Sequence, residues 1–557
     1  MRIPIMKHFI PLFVLCTIFP SIHSKTCASY PISNTPQITI AIVIDQFAYA
    51  YIPKLKAYFT DGLKTLLNNG IVYTNAHTPY AWPATAPGHT ALNTGVVPRD
   101  HGIINNDWAL PNGKLMACDE DTVENAAVFG PNGLLDYGRS SRHIMVDGIS
   151  DQLILQTKQD AKYKVFSISE KSRAAICTAG HLGKAIWLDE KNCMFTSSKA
   201  YFETLPAWLK QFNEKKKLKT VSYTWKLSKP NLPAAYRFKH AHDYTNAADK
   251  TSKIGKTYRL CGKDQTFMQT PFINQLVFDT ALACIDAHLC KDNPQEKLFL
   301  WILPSALDLI GHDFGPNTIE AIDVIYHLDQ QIGRFIKCVN QRTRASNVLW
   351  ALTADHGVTP IAEQIKSDGY SPALRIPAQA LTTKINDHLK EMFDQENIVT
   401  LIKGNNLSVD EKLFKSFDKS IQQNITRAIK KFISRQPGIK QVWTFKELET
   451  GCTHEHSLVD NYKNMLFKGR SPRFFIQPFP YVYISTKTIG TNHQTPYNPD
   501  THIPLILYQS GNHQRKIIDD RVYNTQLAPT LAHILGTPRP SACTADILPG
   551  VTPAVCR

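Results

Sequence analysis

One run constrains this chain more than any other. Residues 38–44 (ITIAIVI) are β-branched or small and almost wholly apolar, and the run stops at Asp45. A strand that is apolar on both faces has no solvent side, so it belongs in the interior of a parallel sheet covered by helices. Apolar residues then recur near helical spacing over 54–69, and Gly70 ends the pattern. The same alternation returns along the chain. Strands are expected at 165–168, 298–303, 348–353 and 503–508, and amphipathic helices at 319–338 and 524–535. The expected fold is α/β, a doubly wound, mostly parallel sheet with helices on both faces.

Two stretches interrupt this grammar. Residues 190–270 are polar, Lys-rich and aromatic, and are expected to be an insertion whose Lys215-Lys216-Lys217 run is a solvated face. Residues 362–485 carry helical patterns at 385–393 and 411–433, then an aromatic strand-like stretch at 474–484. They are expected to form an inserted cap subdomain on a catalytic domain spanning 25–557.

The N-terminus addresses the compartment. Arg2 and Lys7 precede an apolar stretch over 9–19 and small or polar residues at 21–24. This pattern predicts a signal peptide cleaved after Ser24, hence a periplasmic or secreted protein. The stretch is short for a membrane span, and no other run of eighteen apolar residues exists, so no stable membrane insertion is expected. Cys16 would leave with the leader, making the 12 cysteines an odd number. Cys177 with Cys193, and Cys543 with Cys556, are the sequence-near candidates for disulfides.

A hydrophobic share of 43% and a charged share of 20% exclude wholesale disorder and fibrous architectures. The formal charge of +15 would suit nucleic acid, an anionic membrane or an anionic substrate. No helix-turn-helix, ribonucleoprotein or zinc-finger pattern accompanies it, so no nucleic-acid partner is expected.

Chemistry-bearing residues gather where the expected strands end, the edge at which open α/β sheets bind ligands. Asp45 closes the first strand. Asp308 and His312 lie four apart beyond 298–303, Asp355 and His356 follow 348–353, and His493 precedes the late strand. Three Asp and three His form a mixed oxygen and nitrogen donor set suited to two zinc-like ions. A single Asp at a strand end could merely cap a helix, but five such residues closing three strands are hard to explain as caps. Thr85 lies in a Pro/Gly turn opening a helix, where oriented N–H groups favour an anion; read alone, it could equally be an N-cap.

These segments resemble the alkaline phosphatase superfamily. T-A-P-G-H at 85–89, H-G-I-I-N-N-D-W at 101–108, K-S-R at 171–173, D-L-I-G-H at 308–312 and A-D-H-G at 354–357 occur in the shared order. They are most similar to the type I phosphodiesterase/nucleotide pyrophosphatase branch, and within it to PafA-type bacterial phosphatases with a threonine nucleophile. The resemblance implies two zinc ions, one held by Asp45, Thr85, Asp355 and His356, the other by Asp308, His312 and His493. It implies that Thr85 attacks phosphorus, giving a phosphothreonine intermediate, and that Asn106, Lys171 and Arg173 bind the phosphoryl oxygens. The family usually has His-Gly where this chain has His493-Gln494, and His502 is a nearby competitor. His89, His101 and His181 are read as structural or supporting.

The implied substrates are small phosphate monoesters, because two cations on the non-bridging oxygens favour the more highly charged ester. A nucleotide phosphodiesterase or pyrophosphatase on the same scaffold is the alternative. A sulfatase is disfavoured because no C-x-P-x-R motif surrounds Thr85. A phosphate-binding protein without activity would need neither a nucleophile nor a second metal.

Overall fold

A computed structural model of the protein describes residues 30–31, 36–111, 113–156, 162–237, 252–261, 266–289, 293, 295–451, 457–509 and 515–552. The expected signal peptide at 1–24 lies outside the described residues, as does Cys556.

Among the described residues the central sheet has ten strands. In chain order these are β1 (Ile38–Val43), β2 (Ile71–His77), β3 (Lys162–Ser169), β4 (Lys184–Asp189), β5 (Met194–Thr196), β6 (Glu296–Leu303), β7 (Val348–Thr353), β8 (His502–Gln509), β9 (Lys516–Ile518) and β10 (Val522–Tyr523). Their spatial order is β5-β4-β3-β6-β1-β7-β8-β2-β9, with β10 also beside β2. The block β4-β3-β6-β1-β7 is parallel. β8 runs antiparallel to both its neighbours, and β5 antiparallel to β4. The expected α/β architecture is therefore present, with a mixed, mostly parallel sheet. Every residue of β1 is buried, as its doubly apolar sequence demands.

Register positions the site. Ile42 pairs with Ile302 and Leu352, and Ile302 pairs with Ile168. The carboxyl ends of β3, β6, β1 and β7 thus come out side by side, and whatever follows them shares one edge.

The helix expected over 54–69 is broken. Tyr51–Leu55 is helical, Lys56–Tyr58 is a 3-10 turn, and Gly62–Asn69 is a second helix. The cause lies far away in sequence. The Asp329 carboxylate accepts from the N–H groups of Thr60, Asp61, Leu63 and Lys64, so it supplies the start of the second helix from outside.

The two interrupting stretches pack differently. Within 362–485, the helices Ala378–Phe393 and Lys419–Ser434 join a four-stranded sheet around a separate apolar core that includes Ile385, Leu389, Ile425, Ile429 and Phe474. Leu209, Phe212, Trp225, Tyr236 and Phe267, from the 190–270 stretch, belong instead to the main core. Asp323 anchors that stretch by accepting from Trp225 Nε1 at 2.6 Å and the Tyr236 hydroxyl at 2.6 Å.

Cys193 forms a disulfide with Cys261, which corrects the expected pairing of Cys193 with Cys177. The physical reason is placement. Cys193 lies in the β4–β5 turn and faces the main core, whereas Cys177 faces a third apolar cluster built by Trp82, Ile103, Trp108, Tyr462 and Phe475. In that cluster Trp82 stacks on Phe475 at 5.2 Å, so the separate core docks against the loops leading to Thr85.

Candidate active site

Asp45 follows β1, and Asp355 and His356 follow β7. Helix α1 (Thr85–Thr94) begins at Thr85 itself. Lys171 sits between β3 and helix α2 (Ser172–Ala179), which carries Arg173 in its first turn. Helix α3 (Ala306–Phe314) follows β6 and presents Asp308 and His312 on one face, four residues apart. The register described above is what brings these residues to one edge.

Among the described residues, Asp308, His312 and His493 form one potential metal-holding group, and Asp45, Asp308 and His356 a second. In each group the donor atoms lie within 4.8 Å of one another, and Asp308 is common to both. The His493 ring lies 3.7 Å from that of His356 and 5.0 Å from that of His312, centroid to centroid. His493 Nδ1 is held 2.7 Å from the Pro83 carbonyl, which turns Nε2 toward Asp308 at 3.8 Å. His502 lies elsewhere: it stacks between Tyr49 and His77 and sits 2.8 Å from the Thr74 carbonyl. Of the two competing histidines, the structure brings His493 to the cluster.

Asp355 stands beside these groups, with Oδ2 at 3.5 Å from His356 Nε2 and 3.2 Å from His89 Nδ1. Its Oδ1 accepts from the N–H groups of Gln46 and His356. His89 Nδ1 also lies 2.8 Å from the Thr85 carbonyl, so one imidazole ties the start of α1 to Asp355. Gly88 makes this approach possible: a Cβ there would fall 2.6 Å from the Asp355 carbonyl oxygen. Thr85 is buried, and the N-cap position is Ala84 with no side-chain cap, so the N-cap reading of Thr85 does not hold. Asn106 Oδ1 accepts from the Ala86 N–H at 2.8 Å, which places its carboxamide next to Thr85.

The electrostatics are those of a concentrated charge cluster out of water. Lys171 Nζ lies 2.6 Å from Asp45 Oδ2 and 2.6 Å from Asp308 Oδ2. Burial and Asp308 push the Asp45 carboxyl up, but Lys171 and His356 outweigh them and hold it below the usual range. Burial also opposes ionisation of Asp308, yet Lys171 and His312 hold it well below that range. Burial and the neighbouring His356 and His312 keep His493 neutral, the form in which it can ligate.

Several buried polar atoms make no well-aligned hydrogen bond: Asp45 Oδ1, Asp355 Oδ2 and His356 Nε2, whose near neighbours are one another and His89, and Arg173 Nε. Desolvated groups of this kind are costly unless something satisfies them. The first three are hard-oxygen and imidazole donors aimed at one cluster, which fits divalent zinc-like cations. The fourth is a donor that fits an anion.

Sequence reasoning did not single out two supporting residues. Gln46 Nε2 donates to Asp308 Oδ1 at 2.7 Å, and Glu170 accepts from the Ser305 N–H at the start of α3. Burial pushes the Glu170 carboxyl up to about 8. Each is adjacent to a motif residue, which is the only signal either carries.

Comparisons with known proteins agree on one group. The family model described as type I phosphodiesterase / nucleotide pyrophosphatase matches residues 39–496. Alkaline phosphatase PafA of Elizabethkingia meningoseptica is 28% identical over 530 residues, covering 91% of this chain and 92% of that protein. Alkaline phosphatase PhoV of Synechococcus elongatus is 28% identical over 546 residues, covering 95% and 94%. The crystal structure of wild-type alkaline phosphatase PafA superposes with a TM-score of 0.82 at 25% identity, covering 93% of this chain and 99% of that one.

Proposed function

The chain belongs to the type I phosphodiesterase/nucleotide pyrophosphatase family of the alkaline phosphatase superfamily, and we propose that it is an exported, zinc-dependent phosphatase acting on small phosphate monoesters. The observation that carries this reading is the pair of ligand groups sharing Asp308 beside the first turn of α1. The phosphatase names of the two relatives described above support it. Asp45, Asp355, His356 and Thr85 would hold one cation, and Asp308, His312 and His493 the other. When bound, the cations supply Lewis acidity to the attacking and leaving oxygens.

The chain's own residues supply the rest. The Thr85 hydroxyl is the nucleophile and forms the phosphothreonine intermediate. Its place at the amino end of a helix favours developing negative charge. Asn106 has its carboxamide oxygen occupied by Ala86 and offers its nitrogen to a phosphoryl oxygen. Lys171 and Arg173 take the other non-bridging oxygens, Arg173 through a guanidinium whose Nε is otherwise unpartnered. The leader at 1–24 would direct the protein out of the cytoplasm. No helix among the described residues is long and apolar enough to cross a membrane.

The test is Thr85→Ala. Turnover of p-nitrophenyl phosphate should fall by about three orders of magnitude or more while bound zinc changes little. Wild-type turnover in this variant would reject the assigned nucleophile. The family description also names diesterases, so bis-p-nitrophenyl phosphate is the companion substrate. A large preference for it would favour the phosphodiesterase reading.

A further inference from the structure

We propose that Cys118 and Cys177 form a second disulfide, which links the segment that positions Asn106 to the helix that carries Arg173. Cys118 follows the hairpin of Asp107–Ala109 with Leu115–Ala117, and its N–H donates to the Asn106 carbonyl at 2.9 Å. Cys177 lies on α2, one helical turn beyond Arg173. In the structure the two are free thiols, 2% and 1% exposed, that pack in the same apolar cluster and interact with each other.

Both backbones are already held in this relation. The Ser172 hydroxyl donates to the neighbouring Asp119 carboxylate at 2.6 Å, and Arg139 Nη1 reaches the other Asp119 oxygen at 3.0 Å. The Asn93 side chain donates to the Cys177 carbonyl at 3.2 Å. Two neighbouring thiols whose backbones are so held meet the first requirement of an S–S bond of about 2 Å, a short approach of their Cβ atoms. The contact with Cys177, and after it burial, raises the Cys118 thiol well above its ordinary range, so in the folded protein it is a poor nucleophile.

The exchange balances with a disulfide-bearing oxidant, such as glutathione disulfide. One cysteine thiolate attacks a sulfur of the oxidant and expels the first thiolate. The second cysteine thiolate then attacks the mixed disulfide and expels the other. Two protons leave the protein, the oxidant gains two electrons, and the product is one protein disulfide plus two small thiols.

The test uses the full chain, refolded in a glutathione redox buffer in which the Cys193–Cys261 bond closes as an internal control. Alkylation under denaturing conditions without reductant, then proteolysis, should recover a Cys118–Cys177 peptide pair two hydrogens lighter than its separate halves. Recovery of both cysteines alkylated from active protein would overturn the bond, and this measurement needs no variant.

The mechanical role rests on the phosphatase reading, but the bond does not. Relative to the linked enzyme, Cys118→Ala/Cys177→Ala should raise KM for p-nitrophenyl phosphate several-fold, with a smaller effect on kcat. A linked peptide with unchanged KM would keep the bond and reject the coupling. A folded variant that loses turnover altogether would reject the coupling as an effect on KM, and the peptide map of the wild-type chain would still decide the bond.

Discussion

Gln494 departs from the glycine usual at its position, and the structure shows what that departure entails. Its φ is +91°, in the left-handed region that side chains other than glycine rarely adopt. The strain is held in place by neighbours. Asn405 Nδ2 donates to the Gln494 carbonyl at 2.7 Å, and Gln494 Nε2 lies 3.4 Å from Asn105 Oδ1. Asn105 in turn accepts from the Asn106 N–H, so this strained residue joins His493 to the residue proposed to bind a phosphoryl oxygen. If φ is the burden, Gln494→Gly should be more stable than Gln494→Ala by about 1 kcal/mol in urea unfolding. Equal stabilities would mean that the backbone carries no such cost. The unusual residue was visible in the sequence, but its φ was not, because the partners that impose it come from residues 105 and 405.

At the scale of elements, α3 carries the residue common to both ligand groups. Asp308→Asn should therefore deplete the cation it would hold with His312 and His493 and also weaken the one beside Asp45 and His356, whereas His312→Ala should affect chiefly the first. Elemental analysis of dialysed protein distinguishes the two; equal losses from both variants would contradict the shared role of Asp308. The strand-end residues could be read from sequence because each follows a run too apolar to be anything but interior. Other elements could not. β2 and β4 passed unmarked, and the antiparallel direction of β8 has no local signature. The break in the 54–69 helix depends on Asp329, and the partner of Cys193 depends on which core each cysteine faces. Each of these is decided by residues distant in sequence, where local pattern carries no information.

For the whole molecule, the charge cluster predicts a pH response. Burial pushes the His356 imidazole down, but Asp355 and Asp45 outweigh it and raise it from 6.5 to about 9. The folded value exceeds the unfolded one, so the charged imidazole contributes stability that is full below about pH 6.5 and lost as pH rises through about 9. In chelator, the thermal midpoint should fall across that window. With cations bound, His356 must be neutral to ligate, so this loss should be absent and loading should release protons. A chelated protein whose midpoint stays flat from pH 6.5 to 9 would refute the assignment.

Lys171 gives the same cluster a thermodynamic reciprocity. Its ammonium rests 2.6 Å from one oxygen of Asp45 and 2.6 Å from one of Asp308, both of them proposed ligands. An ammonium and incoming cations would compete for those carboxylates, so cation loading should free Lys171 for the phosphoryl group it is proposed to bind. By linkage, an anion that holds Lys171 away must tighten the cations by the same factor. Phosphate retained after turnover would then shield the metals from chelators, and the catalytic product would act as a preservative of the catalyst.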